Sequence, residues 1–183
     1  MAVDLSSTYF DLFALPQSFQ LDLELLDSRY RELQSTVHPD RFVNATDQER
    51  RLSMQLATRV NEGYRTLKDP LKRGRYLLEL DGYSFDDEQH TTSDSAFLME
   101  QMELREALAE VRAADDPYSR LAGIMDRIAA DFDGLTGELQ ERLGSADKGG
   151  TRAAADTLMK MQFFRRLNEE AQELEAALED ELD

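Results

Sequence analysis

Apolar side chains recur at intervals of three and four along almost the whole chain, a spacing that amphipathic helices satisfy and strands do not. Leu26, Tyr30, Leu33 and Val37 form one stripe, at i, i+4, i+7 and i+11, while Arg31 and Gln34 fall off it and are expected to face water. Leu56, Val60, Tyr64 and Leu67 form a second stripe, on a helix expected from Asp47 to about Lys68 with Arg50, Arg51 and Arg59 on its outer face. Pro39 disfavours helical geometry at His38, so the first of these helices stops there and HPDRFVNA is a loop. Ser6, Ser7 and Thr8 are cap-type residues ahead of a short helix begun by Phe10 and Phe13, and Asp22 can cap the helix that follows. Asp69-Pro70 interrupts the third helix, and LKRGRYLLEL reads as a shorter fourth one ending near Asp81-Gly82. Two long helices joined by a loop make an antiparallel hairpin whose stripes face each other, with the first helix helping to cover them.

Residues 83–94 (YSFDDEQHTTSD) carry no stripe and are rich in small polar groups, as a linker is. Beyond Ser95 the helical spacing returns: Phe97, Leu104, Leu108 and Val111 on one helix, then Leu121, Ile124, Ile128 and Phe132 on another that can continue past Gly134 through Leu135, Leu139 and Leu143. Gly144 to Gly150 reads as a turn, and a last helix keeps Phe164, Leu167, Ala171, Leu174 and Leu178 in heptad-like alternation. The expected class is all-α: an N-terminal helical hairpin with flanking helices, joined to a C-terminal antiparallel three-helix bundle. The expected boundaries are 1–80 for the first domain, 81–94 for the linker and 95–183 for the bundle.

Charge separates the same two halves. Residues 1–76 hold 11 acidic and 11 basic side chains, so the net −17 of the chain resides entirely in residues 77–183. Nucleic acid binding through that half meets phosphate repulsion. Its acidity serves either solubility or the steering of a partner. The chain has no cysteine and only two histidines, His38 and His90, which removes thiolate nucleophiles, cysteine-ligated clusters and the usual zinc sites; no EF-hand loop is present. No metal and no cofactor are expected. No run reaches the ~18 apolar residues that span a bilayer, and the N-terminus lacks a secretory or transit pattern, so the expectation is a cytoplasmic protein away from membranes.

His38-Pro39-Asp40 stands at the tip of the helical hairpin, after a helix ending LQSTV and before a matching one. One residue separates the two ionisable side chains and no cysteine nucleophile exists, so a catalytic reading has little to stand on. The hairpin with this tripeptide resembles the J domain, the module that binds DnaK-type chaperones and accelerates their ATP hydrolysis. The resemblance implies that Tyr30, Arg31, His38, Pro39, Asp40 and Arg41 contact such a chaperone. Glu32 departs from the pattern, since J domains often carry a second basic residue there. That lowers the positive potential of the face and fits a dedicated chaperone partner.

On the helix from Ser95, successive residues turn by about 100°, which places Leu98, Met99 and Met102 opposite the core stripe, bordered by Glu103 and Glu106. Met159 and Phe163 likewise lie off the stripe of the last helix. Periodicity allows two readings: both faces are buried, or an apolar patch rimmed by carboxylates receives a partner. EQHTTSDSAFLMEQMELREAL and AAADTLMKMQFF resemble two segments of the HscB-type J-proteins, co-chaperones of iron–sulfur cluster biogenesis; from Ala113 to Thr151 only the pattern matches. The resemblance implies a scaffold-binding surface made of Leu98, Met99, Met102, Glu103, Glu106 and Phe163. It further implies an ATPase partner that is DnaK-type (HscA-like), a client that is the iron–sulfur scaffold protein (IscU-like), and no catalysis by the chain itself. A J-protein for some other client, and a helical interaction protein with an accidental tripeptide, are the alternatives.

Overall fold

The computed structural model describes residues 7–37, 46–85, 94–144 and 148–181. Among them are seven α-helices and no strand: α1 (Tyr9–Leu12), α2 (Leu23–Val37), α3 (Asp47–Lys68), α4 (Pro70–Leu80), α5 (Ser95–Ala109), α6 (Pro117–Gly144) and α7 (Lys148–Asp180). The chain divides into two compact units, Met1–Gly82 and Tyr83–Asp183. None of the described helices is long and apolar enough to cross a membrane.

In the first unit α2 and α3 are the hairpin, and α1 and α4 close it. A capping box starts α1: the Asp11 N–H donates to Thr8 Oγ1 at 3.1 Å and the Thr8 N–H donates to Asp11 Oδ2 at 3.0 Å. Phe10 and Phe13 are thereby driven into the core. α1 approaches α3 so closely that a Cβ at position 63 would lie 2.8 Å from Tyr9 Cδ1, and Gly63 supplies none. Arg59, one turn earlier, donates to the Ser7 carbonyl and sets its guanidinium 5.2 Å from the Tyr9 ring centre. Arg59 is therefore half-buried and not on the outer face, since its long stem lets the cation reach α1. Asp69 caps α4 through the Lys72 N–H at 3.0 Å, with Pro70 at the first helical position. From α4, buried Arg73 donates to the Leu67 carbonyl and lies over the Phe19 ring, and the Tyr76 hydroxyl accepts the Tyr9 N–H at 3.0 Å.

The second unit is the bundle of α5, α6 and α7. Phe97, Leu104 and Leu108 of α5 meet Leu121, Ile124 and Ile128 of α6 and Phe164 and Leu167 of α7 in one core. Val111 joins that core from a separate 3₁₀ turn, Val111–Ala113, and not from α5 as its spacing suggests. α6 runs through Gly134 without a break. α7 begins at Lys148, so Gly149 and Gly150, expected in the turn, are helical. Arg142 closes that end, donating to Thr157 Oγ1 at 2.7 Å and to the Ala153 carbonyl. At the other end the Tyr118 hydroxyl donates to the Leu178 carbonyl at 2.7 Å.

Candidate functional site

His38, Pro39, Asp40 and Arg41 lie outside the described residues, as does His90. The two stems that carry the tripeptide are described, and both are pinned. The Ser53 hydroxyl, 2% exposed, donates to the Val37 carbonyl at 2.8 Å and so ties the last turn of α2 to α3. On the other side Thr46 caps α3 reciprocally with Glu49: the Thr46 N–H donates to Glu49 Oε2 at 2.8 Å and the Glu49 N–H donates to Thr46 Oγ1 at 3.3 Å. The hydrogen bonds from Thr46 hold the Glu49 carboxyl below the usual carboxylate range. Neither Ser53 nor Thr46 follows from the apolar pattern, though Thr46-Asp47-Gln48-Glu49 is itself a legible capping-box sequence.

α2 is registered on α3 by a stacked pair of rings with polar tips. The Tyr30 and Tyr64 ring centres are 3.9 Å apart and 14° from parallel. The Tyr30 hydroxyl donates to Asn61 Oδ1 at 3.0 Å, and Gln34 Nε2 donates to both Tyr30 Oη and Asn61 Oδ1 at 2.7 Å. Gln34 thus turns toward α3 and not to water, because Asn61 and Tyr30 offer acceptors within reach of its amide. Asp27 is held by Lys68 Nζ at 3.1 Å and by the Tyr64 hydroxyl at 2.9 Å. Lys68, with Tyr64 beside it, keeps the Asp27 carboxyl below its ordinary range, and the Tyr64 hydroxyl, with Asp27, raises the Lys68 ammonium. Tyr30 is consequently half-buried, while Arg31 stands exposed, its Nε donating to the Asp27 carbonyl at 3.2 Å. Glu32 pairs with Arg29 at 3.3 Å, three residues apart along α2.

In the second unit Asp94 starts α5, its Oδ1 accepting the Ala96 and Phe97 N–H groups at 3.1 Å. Its other oxygen accepts from Lys160 Nζ of α7 at 2.7 Å; that bond, with the Phe97 N–H, depresses the Asp94 carboxyl. With Phe97, Leu104 and Leu108 turned inward, Leu98 is 41% exposed and Met99 and Met102 each 64%. Glu103 and Glu106 are exposed beside them. Phe163 does not join that surface. It is 9% exposed, edge-on to Phe97 at 5.6 Å and to Phe164 at 5.4 Å, with the Arg105 guanidinium 5.6 Å from its ring centre. α7 packs against two helices, so its buried arc is wider than the single stripe through Phe164 and Leu167 and takes in Phe163. Met159 is half-buried for the same reason. The structure therefore brings five of the six expected residues to one face of α5 and sets the sixth in the core under that helix. No group of three or more candidate metal-ligating side chains occurs among the described residues.

Residues 93–182 match the family described as HSCB C-terminal oligomerisation domain. The chain is 43% identical over 172 residues to a Co-chaperone protein HscB homolog of Shewanella sp. strain ANA-3, covering 94% of this chain and 99% of that protein. It is 41% identical over 170 residues to the protein of the same name from Shewanella loihica, covering 93% and 98%. Among solved structures, chaperone HscB from Vibrio cholerae superposes with a TM-score of 0.84 at 40% identity, over 94% of this chain and 99% of that one. Human co-chaperone protein HscB superposes with a TM-score of 0.86 at 31% identity, over 96% and 85%.

Proposed function

The chain belongs to the HscB family of co-chaperones, and from that premise we propose that it stimulates the ATPase of a dedicated DnaK-type (HscA-like) chaperone and delivers an iron–sulfur scaffold protein (IscU-like) to it. In this reading residues 1–80 are the J domain, 81–94 the linker and 95–183 the scaffold-binding bundle. The observation that carries the reading is the bare apolar face of α5. Leu98, Met99 and Met102 stand exposed on a bundle whose core is complete without them, with Glu103 and Glu106 alongside. Methionine suits such a surface because its unbranched thioether adapts to an incoming partner.

His38, Pro39, Asp40, Arg41 and Arg31 meet the chaperone, and Tyr30 braces α2 from within its stack on Tyr64. The Ser53 and Thr46 bonds hold the two ends of that loop. Hydrolysis belongs to the partner, and the binding energy supplied here shifts the partner's conformational equilibrium. Phe163 acts as buried support for α5. The bacterial relatives fit a cytoplasmic setting.

The test is steady-state ATP hydrolysis by the cognate chaperone with the scaffold protein, with this protein and with both. Synergy that needs both and is lost in His38→Gln is the expected result. Leu98→Ala and Met102→Ala each weaken scaffold binding about tenfold, as truncation of an interface anchor does. Stimulation indifferent to the scaffold would assign the chain another client, and stimulation that survives His38→Gln would remove the J-domain role.

A further inference from the structure

Beside the α5 patch lies an open groove of about 700 Å³ between α5, α6 and α7. Phe97, Leu135 and Phe164 line it, and its α5 wall includes Met99 and Glu103, which also belong to the patch. A partner covering the patch therefore reaches the groove without a gap. On the α6 wall Gly134 leaves the backbone bare: a Cβ there would meet nothing within 4 Å. Glycine inside a helix destabilises it relative to alanine, and no neighbour within the bundle requires it at this position.

The groove is also unevenly charged. Asp94, Glu100, Glu103, Asp131 and Glu138 stand against Arg127 and Lys160, five carboxylates to two cations. Both cations are engaged, Lys160 with Asp94 at 2.7 Å and Arg127 with Glu100 at 3.0 Å and Asp131 at 3.7 Å. Glu138 is paired with Arg142. The inner oxygen of Asp131 is closed off from solvent and accepts no hydrogen bond. Burial, with Glu100 beside it, pushes the Asp131 carboxyl up from its ordinary range. An apolar floor under surplus carboxylates matches a side chain with an aliphatic stem and a cationic head.

We propose that this groove is a second docking site for the protein bound on the α5 patch, and that it takes a lysine or arginine side chain of that protein, its stem over Leu135, beside the Phe97 ring that Lys160 already covers, and its cation toward Glu103 and Asp131. The proposal rests on the patch being the scaffold-binding face, and the experiment separates the two. Dissociation constants are measured for the purified iron–sulfur scaffold protein with Gly134→Leu, Gly134→Ala, Asp131→Asn and, in parallel, Leu98→Ala, with helicity and melting recorded for each. Gly134→Leu fills the groove and is expected to weaken binding about tenfold, while Gly134→Ala stays within about twofold. Asp131→Asn weakens it several-fold and flattens its salt dependence. Wild-type affinity in Gly134→Leu and Asp131→Asn, with Leu98→Ala weakened, would overturn the groove and leave the patch intact. If Leu98→Ala also binds as wild type, the patch reading falls and the groove with it. An oligomer dispersed by Gly134→Leu in light scattering, at unchanged scaffold affinity, would assign the groove to a second copy and overturn the proposal. Should Gly134→Leu fail to fold, Asp131→Asn decides alone.

Discussion

Gly63 and Gly134 are indistinguishable by sequence, each a glycine inside a long amphipathic helix, yet they answer opposite requirements. At Gly63 the neighbouring ring leaves no room, with Tyr9 Cδ1 at 2.8 Å and Phe13 Cε2 at 3.1 Å from a Cβ; at Gly134 there is only space. Gly63→Ala must displace α1, and the expected cost is about 1–3 kcal/mol, the usual penalty of overpacking, against the gain in helix propensity. Thermal unfolding followed by circular dichroism reads it as a lower melting temperature of the first unit. A second residue-scale outcome concerns Asp131, whose folded carboxyl is raised by burial and by Glu100. A raised acid makes the folded state hold its proton more firmly than the unfolded chain does. Its ionisation therefore destabilises, a cost that sets in as pH rises through the unfolded value and is complete above the folded one. Asp131→Asn should accordingly raise the melting temperature at pH 7, with the difference shrinking as pH falls through the carboxylate range. Asp27 and Asp94 are depressed, so their contributions run the other way and are lost in acid.

At the scale of the element, α5 is the piece that must hold still for its outer face to be read. Its first turn carries Leu98 and hangs on Asp94, which caps the helix with one oxygen and binds Lys160 of α7 with the other. Lys160→Met should speed amide exchange at residues 95–99 while α6 and α7 keep their protection, and Lys160→Arg should restore it; hydrogen-exchange mass spectrometry resolves the two. The helices themselves were legible because a repeat of three and four leaves no other regular structure able to bury Leu26, Val60, Leu121 and Leu167. Breaks at Asp69-Pro70 and the cap at Asp22 were legible for equally local reasons. What periodicity could not give is which neighbour a face meets. Arg59 and Gln34 sit off the apolar stripes and still turn inward, because long polar side chains find acceptors across a seam. Phe163 sits off its stripe and is buried, because α7 has two neighbours and a stripe describes one. On α5 the spacing located two apolar arcs but left open whether the second is covered; the structure leaves Leu98, Met99 and Met102 exposed.

At the scale of the whole molecule, charge is segregated much as the chain is divided into two units. The first 76 residues are neutral in sum, and the rest hold the net −17. If the bundle binds the scaffold protein and the J domain engages the ATPase, the benefit of one chain holding both is the local concentration it gives one partner beside the other. Two sites tethered on one chain reach effective concentrations in the millimolar range, roughly a thousandfold above micromolar free protein. That arithmetic predicts the behaviour of a mixture. His38→Gln retains the patch and loses the loop; Leu98→Ala with Met102→Ala retains the loop and loses the patch. Each should keep its own surviving function, scaffold binding for the first and scaffold-independent stimulation for the second. Combined in one tube at equal concentration, they should not regain the synergy of the wild-type protein, because no single molecule spans both partners. Recovery of full synergy by the mixture would mean that the bundle conditions the scaffold protein separately, and that the connection between the units serves some purpose other than bringing the two partners together.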